Sequence, residues 1–213
     1  MIKISLISFI CCLVLSCNVS KKEPPKKVNV ELTGKNSVSN DTIENLRLSF
    51  KKKDYKMFFD FFPCSFSQFL NIYGFDDKNG AKPLYEVYED HVNYFFECEG
   101  HIGQKEFINK IYGIVKNAVW EADAPTILQD NLTLLIIKSP KEILSLLTIK
   151  PKKEVESFWI FVFDGSSTYD LQNKEKFKKI YSKINALNPK QAELIKQVFE
   201  KMYNVKDSHK AED

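Results

Sequence analysis

Apolar positions recur at helical spacing through most of this chain, after an opening that follows a different rule. Ile4 to Leu15 form an almost unbroken apolar run without charge. A polar stretch poor in apolar residues follows as far as Asn40, too sparse to bury a core. From there the period is close to 3.6. Asp41 and Glu44 read as a helix start ahead of Ile43, Leu46 and Phe50. Ser65 and Gln68 form a capping box before the stripe Phe66, Phe69, Leu70 and Tyr73, and Gly74 suits a stop. Leu84, Tyr88, His91, Phe95 and Cys98 mark one further face, and Phe107, Ile111, Val115 and Ala118 another.

Ser139-Pro140-Lys141-Glu142 puts a cap, a first-turn proline and a capping-box acid in order, and Asn188-Pro189-Lys190-Gln191 repeats the idea. Phe177, Ile180, Tyr181 and Ile184, then Ile195, Val198, Phe199 and Met202, predict a closing helical hairpin. Leu132–Ile137 and Phe158–Phe163 are apolar on all sides, so periodicity alone does not separate buried helix from buried strand. Positions 155, 158, 159 and 162 keep helical spacing, which predicts helix for the second run. No repeat of fixed period emerges. The expected fold is all-α: a single irregular multi-helix bundle behind a flexible N-terminal tether.

The opening run has the length of a signal-peptide core and is too short to span the roughly 30 Å hydrocarbon layer of a membrane. It ends Val14-Leu15-Ser16-Cys17, which resembles the lipobox of bacterial lipoproteins. That resemblance implies cleavage before Cys17, a diacylglyceryl group on its thiol and acylation of its new amine. Leu15 is bulkier than the pattern prefers. Two or more acyl chains hold a protein durably on a membrane where one does so only marginally. Asn18 stands where some bacteria use Asp as an inner-membrane retention signal, so the resemblance favours the outer membrane and leaves the facing side open. The expected organisation is a signal peptide at 1–16, a lipidated tether at 17–39, a helical domain at 40–205 and a polar tail at 206–213.

Charge refines this picture. The tether holds Lys21, Lys22, Lys26, Lys27 and Lys35 against Glu23 and Glu31, while the span 40–205 is neutral overall. The basic excess therefore belongs to the linker, through solvation or contact with anionic headgroups. A neutral folded part on an exported chain gives no footprint for nucleic acid. The tether would span about 26 Å as a coil and at most about 75 Å extended. Seventeen Phe, nine Tyr and two Trp promise a core that needs no metal.

Few residues offer chemistry. No HExxH, paired CxxC, GxSxG elbow or Gly-rich phosphate loop is present, and no cofactor is expected. His91, on an apolar stripe, reads as a satisfied core histidine, and His101 as a loop residue. Asp76-Asp77-Lys78-Asn79-Gly80 reads as a turn in which Asn79 and Gly80 take left-handed conformations; a calcium loop would need Asp where Phe75 stands. Glu121 and Asp123 beside Trp120 are the pair that would serve glycoside hydrolysis; the plainer expectation is that Asp123 caps a helix and Trp120 fills the core. Cys64 and Cys98 are either a disulfide, closing a loop of about 35 residues with about 3.5 kcal/mol of stabilisation, or two ordinary thiols.

The segments 58–63, Trp120-Glu121-Ala122-Asp123 and Phe158-Trp159 to Asp164-Gly165 resemble a group of small, uncharacterised helical lipoproteins, a likeness that implies a shared fold and no activity. The leading expectation is a non-enzymatic helical binding module, tethered by its lipid so that it meets another envelope protein. One alternative is an immunity or inhibitor lipoprotein neutralising an envelope toxin. The other is an envelope hydrolase using Glu121 and Asp123. A cleft holding both carboxylates with a raised pKa would favour the enzyme, and a single exposed aromatic groove without paired acids would favour binding.

Overall fold

The computed structural model describes residues 39–165 and 170–210; Cys17, the proposed signal and the tether up to residue 38 lie outside them. Among the described residues the fold is all-α. Ten helices follow one another: α1 (Asn40–Lys52), α2 (Tyr55–Phe61), α3 (Phe66–Tyr73), α4 (Tyr88–Glu97), α5 (Gln104–Val115), α6 (Ala124–Lys138), α7 (Pro140–Leu147), α8 (Lys152–Phe163), α9 (Asp170–Leu187) and α10 (Pro189–Lys210). Both all-apolar runs are helical, within α6 and α8, and α10 continues into the segment expected to be a polar tail. The β structure among the described residues is a hairpin of two-residue strands, β1 (Phe75–Asp76) and β2 (Gly80–Ala81), paired antiparallel. Among the described residues the core runs from Ile43 to Phe199, inside the compact unit 35–213.

Capping chemistry sets most boundaries, with informative differences. The α1 cap is Ser39, whose hydroxyl accepts from the Thr42 amide, rather than Asp41. Ser65 accepts from the Gln68 amide as expected, but the Gln68 side-chain oxygen Oε1 takes its bond from the Cys64 amide, one residue before the usual partner. Asn188 accepts from the Gln191 amide. Ser139 makes no such cap: its hydroxyl accepts from Gln104 on α5 at 3.3 Å, so Pro140 alone marks the entry to α7. Gly74 closes α3 by close approach, since a Cβ there would lie 2.6 Å from the Leu70 carbonyl oxygen.

Two aromatic clusters organise the core. In the first, Phe62 stacks on Phe95 at 3.9 Å, and Phe59, Phe69, Tyr73 and Phe107 close around them from α2, α3 and α5. In the second, Phe177 of α9 stacks on Phe199 of α10 at 4.2 Å, against Phe163 at the end of α8. This is the expected closing hairpin. Polar atoms inside are largely answered. Gln129 donates to the Phe161 and Asp164 carbonyls and accepts from Lys176, which also donates to Val162, so the C-terminal carbonyls of α8 are capped from α6 and α9. Lys110 does the same for α2 through the Phe59 and Asp60 carbonyls while lying 4.5 Å over the Phe59 ring.

Candidate functional site

The core histidine behaves as read. His91 is buried, with Nδ1 3.2 Å from the Tyr73 hydroxyl and its ring 4.6 Å from that of Phe50. Burial pushes its pKa down to about 4 and raises that of Tyr73. His101 is exposed and stacks on Tyr55 at 3.8 Å. Asp76 holds the β1–β2 turn: one carboxylate oxygen accepts from the Lys78 and Asn79 amides and the Asn79 side chain. Those bonds lower its pKa. Gly80 alone there is left-handed, at φ 74°; Asn79 is not.

The disulfide option is not realised: Cys64 is an exposed free thiol and Cys98 a buried one. Cys98 faces the start of α2 and donates to the Tyr94 carbonyl at 3.3 Å and the Tyr55 carbonyl at 3.5 Å. Cys64 lies beyond the other end of that helix. Seven helical residues put roughly 10 Å between those ends, more than the ~7 Å of Cα separation a bridge tolerates. Burial raises the Cys98 thiol to about 12, which leaves it a small apolar side chain rather than a nucleophile.

The acidic pair is not a cleft either. Glu121 and Asp123 are both exposed on the loop joining α5 to α6. Trp120 is only half-buried, so it does not fill the core; that place belongs to Trp159. Asp123 stands before α6 but makes no side-chain cap. Its backbone takes φ 64°, ψ −120°, a conformation that favours glycine and costs about 1–3 kcal/mol elsewhere. Its Oδ2 instead accepts from the Tyr85 hydroxyl at 2.8 Å, across 38 residues of sequence.

That bond organises a surface the sequence did not announce. Tyr85 lies in a single 3-10 turn (Tyr85–Val87) leading into α4, and its ring sits 5.6 Å from Phe75 on β1 and 5.7 Å from Tyr88 at the start of α4. Phe75 is 55 % exposed, although it lies on an ordered strand. Helices α4 and α6 run side by side, joined by Asn131 to Asn93 at 2.8 Å and Lys138 to Glu99 at 2.7 Å, so their N-terminal ends meet at the patch. The Asp123 carboxylate, as hydrogen-bond acceptor, raises the Tyr85 pKa and keeps the phenol protonated. Three aromatic rings and one carboxylate are thus held in fixed positions on an open face. Their spacing in sequence carries no signal, because the contact depends on a hairpin and a loop from different parts of the chain.

Comparison with known proteins finds no match to this chain among family models, curated proteins or solved structures.

Proposed function

We propose that this chain is a non-enzymatic binding module, carried on the outer membrane by lipid on Cys17, which meets another envelope protein through Phe75, Tyr85, Tyr88 and Asp123. The observation that carries the reading is the exposed Phe75 ring beside a tyrosine pinned to a strained aspartate. A large aromatic left in water at a rigid position adds little to folding, whereas rigid aromatic anchors are enriched among residues that dominate protein interfaces. The loss of side-chain freedom on binding is already met in the free protein, which favours affinity.

Support for the non-enzymatic part comes from the same acids. A hydrolase would need Glu121 and Asp123 to share a shielded cleft, with one carboxyl held protonated. Both face solvent, and Asp123 is engaged with Tyr85. The address rests on the lipobox resemblance and on Asn18.

Co-purification of the tagged full chain from its own envelope tests the reading. One defined protein should accompany the wild type, and recovery should fall about tenfold or more with Phe75→Ser, the size of effect an interface anchor carries. Equal recovery with that variant would contradict it.

A further inference from the structure

A concave feature lies on different elements, where α10 packs against α8 beside the end of α7. Two cavities, about 450 Å³ and about 540 Å³, share Leu194 and Gln197 and so form one trough. The first is floored by Ile160, Leu194, Val198 and Met202. The second is walled by Lys150, Lys152 and Lys190, with Leu147 and Val155 beneath. Lining residues advance together along both helices, from Lys152 and Lys190 at one end to Asp164 and Met202 at the other, so α8 and α10 run parallel. Both positive helix ends therefore open at the lysine end.

We infer that this trough binds a single-chain anionic amphiphile, a fatty-acid carboxylate, with its head among Lys150, Lys152 and Lys190 and its chain along Ile160, Leu194, Val198 and Met202. Charge selects the head. Three lysines outnumber Glu156 and Glu193 at that end, while Asp164 and Lys201 balance at the far end, so an anion is drawn to the lysine end. Lys150 is 4.7 Å from the Tyr112 ring and Lys152 is 3.6 Å from Glu156, contacts that place both ammonium groups while leaving donors free. Two further features favour a guest at this end. Helix α8 starts at Pro151 without a side-chain cap. The Gln191 Oε1 is buried there with no partner among the described residues, and an amide flip would set its NH2 donor in that place.

Dimension selects the chain. Lys190 to Met202 is twelve residues of helix, about 18 Å. Ile160, on the trough floor, is 41 % exposed, where a helix packed to completion would cover it. An apolar floor of this kind with one charged end suits a flexible aliphatic chain better than a compact polar metabolite.

The test titrates dodecanoate, below its micelle concentration, into residues 35–213, with dodecanol, acetate and phosphatidylglycerol vesicles as separate arms. Saturable one-to-one binding of dodecanoate is expected, weaker by about tenfold or more for dodecanol, which lacks the charge, and for acetate, which lacks the chain. The double variant Lys152→Gln, Lys190→Gln should weaken it to a similar degree, and so should Ile160→Glu, a change at a partly exposed position. Circular dichroism of each variant must match the wild type, and Lys201→Gln, at the far end, should bind dodecanoate as well as the wild type does. Absence of dodecanoate binding by the folded protein would overturn the inference. So would equal affinity for dodecanol, or binding to the vesicles alone, which would assign the lysines to a membrane surface. None of these outcomes bears on the aromatic patch.

Discussion

Lowering the pH should destabilise this fold through one side chain, His91. In the folded state it is neutral to about pH 4, because burial disfavours the imidazolium and Tyr73 offers only one partner. In the unfolded chain it titrates near 6.5. Above pH ~6.5 neither state binds the proton, so the neutral histidine costs nothing. As the pH falls below that value the unfolded state takes up a proton that the folded state refuses, and stability is lost until the folded pKa is passed. The full difference, about 2.5 pKa units, corresponds to about 3.4 kcal/mol. About 1.3 kcal/mol of it should be lost between pH ~7.5 and ~5.5, before most carboxylates begin to titrate. Urea unfolding of residues 35–213 across that interval measures it. His91→Gln, which cannot titrate, should be less stable at neutral pH but should lose far less on acidification. Parallel pH profiles for wild type and variant would refute the reasoning and place the histidine in contact with water.

Four other outcomes follow from the same structure and its sequence. Cys17→Ser should abolish incorporation of labelled fatty acid and release the protein from membranes; retention with the apolar run uncleaved would reject the lipobox reading. Native alkylation of residues 35–213 should label Cys64 at once and Cys98 only after unfolding, and a disulfide found in protein made in an oxidising compartment would contradict the separation by α2. Phe62→Ala, which removes a fully buried ring stacked on Phe95, should cost about 3–5 kcal/mol. Phe75→Ala should stay within about 0.5 kcal/mol of wild type, as an exposed ring contributes little to folding.

What the sequence could disclose was set by the range of each interaction. Helical stripes and caps are local, so the bundle, the α9–α10 hairpin and the proline at the start of α7 were all legible. The helical state of Leu132–Ile137 was not, because a run that is almost entirely apolar has no phase to read, even though the fold leaves Leu134 exposed. Long-range partners misled in particular places. Ser139 has the right neighbours for a cap but bonds to α5 instead. Asp123 has the position of a cap but bonds to Tyr85. Trp120 stands beside Glu121 and Asp123 and is only half-buried, whereas Trp159 lies within the apolar run 158–163 and is fully enclosed. The aromatic patch and the three lysines of the trough were invisible for one reason: each joins residues that meet only when distant parts of the chain pack.

The central claim is that the Phe75–Tyr85–Tyr88 face meets a protein of the envelope, and crosslinking in living cells tests it most directly. A photoreactive amino acid replaces Phe75 in the full chain, and in a control it replaces Leu134, a residue of α6 that is 66 % exposed. The account predicts one discrete adduct with a single envelope protein from position 75, abolished by Asp123→Asn together with Tyr85→Phe, and no such adduct from position 134. No adduct at position 75, or the same adduct from both positions, would contradict it.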